Sequence, residues 1–219
     1  MSNKPILTYF DGRGKGENIR IMLAAGGVEF IEAPPLKEPE QFDKLRSDGH
    51  LLFMQAPLLQ WDGLDMVQAG AICRYIARKC NLYGKTMEDQ YRIDALYEGS
   101  RDFLLPFLKF NFVPDEELFK EINAPTLLPR YMTTFSKVLE ENGKGYLVGD
   151  SLSMADVAVF EVLLAVDDYL PNEIPKYPKL AQFFAKMKAL PEFQKYLSQI
   201  RKPKNSDRYA SEVKRVLRW

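Results

Sequence analysis

Apolar positions follow two rhythms along this chain. In the first eighty residues they come in short bursts cut by glycine, proline and acids. Ile6-Leu7-Thr8-Tyr9-Phe10 is rich in strand formers and is broken by Asp11-Gly12-Arg13-Gly14-Lys15-Gly16. Residues 17–26 then carry Ile19, Met22 and Leu23 at helical spacing, and Gly26-Gly27 stops them. Residues 28–31 read as a second strand. A helix between two strands this close predicts that they run parallel. Residues 34–49 are polar, with a short helix expected around 41–46. Residues 56–61 form a strand that opens at Pro57. Asp62-Gly63 is a two-residue hairpin signal, so 64–67 should return antiparallel. Residues 68–79 are helical. The order βαβ-loop-ββα is that of the thioredoxin fold.

After Tyr83-Gly84-Lys85-Thr86 only the 3.6-residue rhythm remains. Residues 87–112 predict a long helix that Pro106 should kink. Residues 125–142 predict another, closed by Gly143. Ser153-Met154-Ala155-Asp156 is a capping box ahead of an apolar run to Val166. Two short helices follow, 178–190 and 191–200, and 207–219 is amphipathic. The expected class is therefore α/β plus all-α. A thioredoxin-like domain covers 1–83 and an all-helical domain covers 84–219.

Lys+Arg and Asp+Glu balance at 30 each, which gives no reason to expect nucleic acid or an anionic membrane as partner. No window approaches the roughly 18 apolar residues of a membrane span. The start, Met1-Ser2-Asn3-Lys4-Pro5, lacks the apolar run of a secretory signal, so a cytoplasmic protein is expected. Cys73 and Cys80 are the only cysteines. Their spacing fits neither a disulfide framework nor a zinc site, and both are expected as buried, reduced thiols.

Several positions carry candidate chemistry. Tyr9 ends the first strand, where a hydroxyl faces the ligand side of an α/β unit. The Gly-rich run after it lacks the spacing of a phosphate loop. Pro57 opens a strand, a position suited to an edge or a special turn that an extended peptide ligand can pair with. Gln68-Ala69-Gly70-Ala71 starts a helix whose free amides suit a carboxylate. His50, the only histidine, lies in a polar loop and reads as a surface residue.

These stretches together resemble the cytosolic glutathione transferases, the alpha class above all. The resemblance rests on KPILTYFDGRGKGENIR, LAAGGVEF, KLRSDGHLLFMQAPLLQWDG, NLYGK, YLVGDSLSMADV and the basic C-terminal helix, in order over nearly the whole chain. It implies a homodimer that uses glutathione as cosubstrate, without a metal, to conjugate small hydrophobic electrophiles. Tyr9 matches the tyrosine that donates to the glutathione sulfur, and Lys15 stands where an arginine usually flanks it. Arg46, Gln55, Ala56, Pro57, Gln68 and Ala69 match the glutathione-binding positions. Asp102 and Arg130 match residues that reach the γ-glutamyl end from the second subunit. Phe53 matches the aromatic key of the dimer interface. Phe10, Gly14, Leu108, Phe112, Val213, Leu217 and Trp219 match the electrophile pocket, the last three on a helix that acts as a lid.

Three departures qualify this pattern. Ala69 replaces a serine or threonine whose hydroxyl holds the γ-glutamyl carboxylate. Gly70 replaces a bulky basic residue, and Lys109 brings charge to a position that is often apolar. The loss at Ala69 leaves a second reading open, a weakly catalytic or non-catalytic carrier or structural protein on the same fold. A thiol-disulfide oxidoreductase needs a reactive cysteine near residues 11–14, and there is none.

Overall fold

The computed structural model describes residues 4–123 and 125–219. Met1, Ser2 and Asn3, read above as lacking a secretory signal, lie outside the described residues. The N-terminal domain contains β1 (Ile6–Thr8), α1 (Gly14–Ala25), β2 (Ile31–Glu32), α2 (Pro39–Ser47), β3 (Leu58–Trp61), β4 (Leu64–Val67) and α3 (Ala69–Lys79). The sheet order is β2-β1-β3-β4. β1 and β2 are parallel, while β1–β3 and β3–β4 are antiparallel. Asp62 and Gly63 both take positive φ (52° and 77°), as the two-residue hairpin turn requires.

Several boundaries differ from the sequence reading: β1 stops at Thr8 rather than residue 10, and α1 starts at Gly14 rather than residue 17. The second strand is Ile31–Glu32 rather than 28–31, because Val28 still caps α1 by donating to the Leu23 carbonyl. Sheet pairing begins only where Ile31 N–H meets the Pro5 carbonyl at 2.8 Å. The third strand begins one residue after Pro57, which has no N–H to give to the ladder.

The C-terminal domain is helical: α4 (Met87–Leu108), α5 (Asp115–Asn123), α6 (Leu128–Asn142), α7 (Met154–Tyr169), α8 (Pro178–Ala189), α9 (Pro191–Lys195) and α10 (Asp207–Leu217). Pro106 ends α4 rather than kinking a longer helix. It lies in the last turn, where its carbonyl takes the Lys109 N–H, and the helix stops at Leu108. α5 is an element the sequence reading lacks. Thirteen of the sixteen residues of α7 are buried, so it is the central rod of this domain. The expected capping box forms at its start. The core is continuous from Leu7 and Ile19 in the first domain to Phe160 and Leu163 in the second.

Cys73 is fully buried, and its thiol donates to Asn18 Oδ1 at 2.9 Å; Cys80 is only half-buried, against the expectation for it. Burial pushes the Cys73 thiol up to about 12, so it is inert. Among the described residues no helix is long and apolar enough to cross a membrane.

Candidate active site

Tyr9 follows β1 directly and is 8% exposed. The glycines after it make room for its ring. A β-carbon on Gly16 would lie 2.5 Å from Tyr9 Cδ1, and one on Gly14 would lie 2.5 Å from Tyr9 Oη. The Gly-rich run is thus a notch for side chains. The Lys15 backbone N–H, in the first turn of α1, donates to Tyr9 Oη at 3.0 Å. Burial raises the Tyr9 phenol above its ordinary value, outweighing the Lys15 N–H, the Arg20 charge and the Tyr209 hydroxyl. The phenol therefore keeps its proton at neutral pH.

Beneath this loop Arg20 is completely buried. Its guanidinium donates to Glu32 Oε1 at 2.5 Å, to Glu17 Oε2 at 3.0 Å and to the Gly12 carbonyl at 2.9 Å. Tyr196 Oη donates to Glu17 Oε1 at 2.6 Å. Each buried charge is thus paired and hydrogen-bonded, the condition for tolerating it inside. The network fixes the Gly12 carbonyl and with it the loop beside Tyr9.

A cleft of about 460 Å³ starts at Gly14 and Lys15, passes Asn18 and the start of α3, and reaches α4. Gln68, Ala69 and Gly70 line it, as do Arg74, Arg101 and Asp102. Gln68 adopts φ 67° and ψ 105°, a strained conformation for a non-glycine residue. Its side chain makes no cap hydrogen bond to α3. The first turn of that helix lines the cleft and is left uncapped by the Gln68 side chain, a favourable place for a carboxylate.

Arg46 stands in the last turn of α2. It stacks 4.0 Å over Phe42, and its Nε donates to the Met54 carbonyl at 3.2 Å. Gln55 is exposed, Pro57 is buried, and the Ala56–Pro57 peptide is cis. Arg130 is exposed on α6 and donates to the Tyr131 hydroxyl at 2.9 Å; it does not line this chain's own cleft. His50 Nδ1 lies 2.6 Å from Asp65 Oδ2, a surface contact that pins the loop after α2.

On the other side of Tyr9, Phe10, Phe112, Val213 and Leu217 pack into one apolar cluster with Leu58 and Tyr209. Gly14 and Leu108 line both the large cleft and a small cavity of about 40 Å³ between the domains, the latter with Glu17, Tyr196 and Arg201. Trp219 is 79% exposed and outside both groups. Sequence reasoning missed Tyr209, Arg20, Glu17 and Asn18. For Arg20 a signal was present, since it interrupts an apolar helical run, and a buried charge demands a nearby acid.

A tyrosine just after the first strand, a cis-proline loop and a helix start thus share one face of a thioredoxin-like domain that is backed by a helical domain. Sequence comparisons identify the family. Residues 5–78 match the family described as Glutathione S-transferase, N-terminal domain, and residues 101–199 match Glutathione S-transferase, C-terminal domain. The chain is 40% identical to Glutathione S-transferase 3 of Gallus gallus over 223 residues, covering 100% of this chain and 96% of that protein. It is also 40% identical to Glutathione S-transferase alpha-5 of Rattus norvegicus, covering 99% of each. Among solved structures, monomeric Na-GST-3, a glutathione S-transferase of Necator americanus, superposes with a TM-score of 0.79 at 27% identity, over 92% of this chain and 100% of that one. The chain belongs to the glutathione S-transferase family, and it is an enzyme of that kind with alpha-class relatives.

Proposed function

We propose that this protein conjugates glutathione to hydrophobic electrophiles, with Tyr9 holding the glutathione sulfur as thiolate. The observation that carries this reading is the state of the Tyr9 hydroxyl. It is buried, it keeps its proton, and it stands where Gly14 and Lys15 border the cleft. A neutral donor aimed at sulfur favours thiolate over thiol. Lowering a thiol pKa by about two units takes roughly 2.7 kcal/mol. A hydrogen bond to a charged group contributes about 1.5–3 kcal/mol, and the charges of Lys15 and Arg20 add to it.

In this reading Arg46 attracts the glycine carboxylate, and the Gln55-Ala56-Pro57 backbone pairs with the cysteinyl unit. Gln68 and the Ala69 amide take the γ-glutamyl end, with Arg130 contributed by a second copy of the chain; Asp102, expected from that second copy, lines this chain's own cleft beside them. Phe10, Gly14, Leu108, Phe112, Val213 and Leu217 receive the apolar electrophile, while the exposed Trp219 stands apart from them. The thiol proton passes to solvent. The sulfur lone pair forms the new S–C bond as the leaving group departs with its bonding pair. No covalent bond to the enzyme forms.

The dimer has its own support. Leu52, Phe53 and Met54 are all more than half exposed in one loop. A groove of about 540 Å³ lies between α4 and α6, lined by Tyr91, Ala95, Leu96, Val138 and Leu147. In our reading Phe53 of one copy fills that groove in the other.

The test is the rate of conjugation to a chloronitrobenzene, beside retention on immobilised glutathione. Tyr9→Phe should lower kcat/KM about 100-fold while retention persists. Equal rates in the two proteins would sink the role of Tyr9. A folded wild type that neither turns over nor is retained would point to the carrier reading instead.

A further inference from the structure

We propose that Tyr209 is a positioning residue of this reaction: it reaches from α10 through the Gly12–Gly14 notch and donates a hydrogen bond to Tyr9 Oη, so that the Tyr9 proton is aimed at the bound sulfur. The proposal rests on the reading of Tyr9 given above.

The notch is shaped to this ring. A β-carbon on Gly12 would lie 2.3 Å from Tyr209 Cε2 and 2.4 Å from Cδ2, so any side chain there would displace it. A β-carbon on Gly14 would lie 2.5 Å from Tyr9 Oη and 2.9 Å from Tyr209 Oη. Both hydroxyls therefore converge on Gly14. Tyr209 is 7% exposed, and Phe112 holds its ring edge-to-face at 5.9 Å. Its backbone is fixed as well, since its N–H donates to Ser206 Oγ at 3.2 Å at the helix start.

The chemistry follows from counting. A phenol oxygen has one proton to give and two lone pairs to receive. One lone pair of Tyr9 takes the Lys15 N–H. The Tyr209 hydroxyl, which meets Tyr9 Oη beside Gly14, is placed to give its proton to the other. Tyr209 favours the phenolate of Tyr9, whereas Tyr9 disfavours that of Tyr209. With both lone pairs occupied, the Tyr9 proton is left to point outward to the ligand. Accepting a bond also polarises the Tyr9 O–H, which strengthens its own donation by roughly 10–30%.

The other charges near the pair leave this arrangement intact. Arg20 acts on both hydroxyls, and Glu17 acts on Tyr209; both belong to α1 and are bound to each other. In the loop, Asp11 is paired with Lys202 and Lys37, and Arg13 with Asp168. On α10, Arg208 pairs with Glu212 and Arg215 with Glu38, and Arg218 just after the helix pairs with Asp43.

The experiment is a pH titration of bound glutathione, followed by thiolate absorbance in the ultraviolet, for wild type, Tyr209→Phe, Gly12→Ala and Tyr9→Phe. Tyr209→Phe should raise the bound thiol pKa by about half a unit without weakening glutathione binding. Gly12→Ala keeps the Tyr209 hydroxyl but pushes its ring aside, and should do the same. A thiol pKa that is unchanged or lower in Tyr209→Phe, while Tyr9→Phe raises it, overturns the proposal and leaves the role of Tyr9 standing. A thiol pKa that Tyr9→Phe also leaves unmoved overturns the reading of Tyr9 and this proposal with it.

Discussion

Asp156 accepts both the backbone N–H and the hydroxyl of Ser153, at 2.8 and 2.7 Å, on a single carboxylate oxygen. Its other oxygen takes the Leu147 N–H at 2.7 Å. The side chain is completely buried, so these three donors have no water to fall back on. Asp156 thus ties the start of α7 to the loop after α6. Asp156→Ala should cost about 2–4 kcal/mol of stability, because it strands buried donors rather than merely losing a cap. Asp156→Asn should also destabilise, since one face of an amide cannot accept. Urea midpoints at constant slope measure both. A loss under about 1 kcal/mol in the alanine variant would show that the loop can rehydrate these groups.

The pH dependence of turnover follows from the direction of the Tyr9 shift. Burial keeps its phenol protonated beyond the ordinary value near 10. As pH rises, more of the bound thiol ionises and kcat/KM should climb to a plateau. The donor is lost only when Tyr9 itself ionises, so no descending limb should appear below about pH 10. A profile from about pH 5.5 to about 9.5 that turns down between 8 and 9 would mean that Tyr9 ionises early. It would also mean that Lys15 N–H, Arg20 and Tyr209 together outweigh burial.

How much of this was legible depended on distance along the chain. The hairpin at Asp62-Gly63 and the capping box at Ser153 and Asp156 are local, and each formed where the residues said it would. α5 escaped because its first turn, Asp115-Glu116-Glu117, follows a proline and reads as a polar loop. Those acids in fact favour a helix N-terminus, and Leu118 and Ile122 bury its one apolar face. At the site, the strand end after Thr8 marked Tyr9 as a candidate. Tyr209 could not be found in this way. Nothing in its own helix distinguishes it, and its meaning lies in two glycines near the opposite end of the chain. The pairing of Arg20 with Glu32 and Glu17 lies between these cases, local enough to guess once the helix is assumed.

Phe53 offers a test of assembly. A side chain 57% exposed, between Leu52 at 74% and Met54 at 53%, gains by burial against a second copy. Full burial of such a ring contributes roughly 1.5–3 kcal/mol, and a symmetric dimer counts it twice. Phe53→Ser should therefore weaken association at least 100-fold and give a monomer at micromolar concentration, read by sedimentation. A wild type that already sediments as a monomer would remove the dimer, and with it any contribution of Arg130 to a neighbouring site. The monomeric hookworm relative makes that measurement a necessary one.

In the proposed glutathione site, Ala69 is where the grip can be strengthened. It is the first residue of α3, half-buried against the cleft, and offers a methyl group where a hydroxyl would meet a carboxylate. The backbone amide remains, so the anchor is weakened rather than lost. A hydroxyl placed there adds one hydrogen bond to a charged group, about 1.5 kcal/mol at the low end of such bonds. Ala69→Ser should accordingly lower the KM for glutathione about 10-fold. The γ-glutamyl end is remote from the sulfur, so this is binding shared equally by ground and transition states, and kcat should stay as it is. Steady-state kinetics with glutathione varied at a saturating electrophile separate the two constants. A KM that does not move would mean that the carboxylate is held by the α3 amides alone, or that it binds elsewhere in the cleft. A kcat that rises with it would mean that the Ala69 site misplaces the sulfur as well as loosening it.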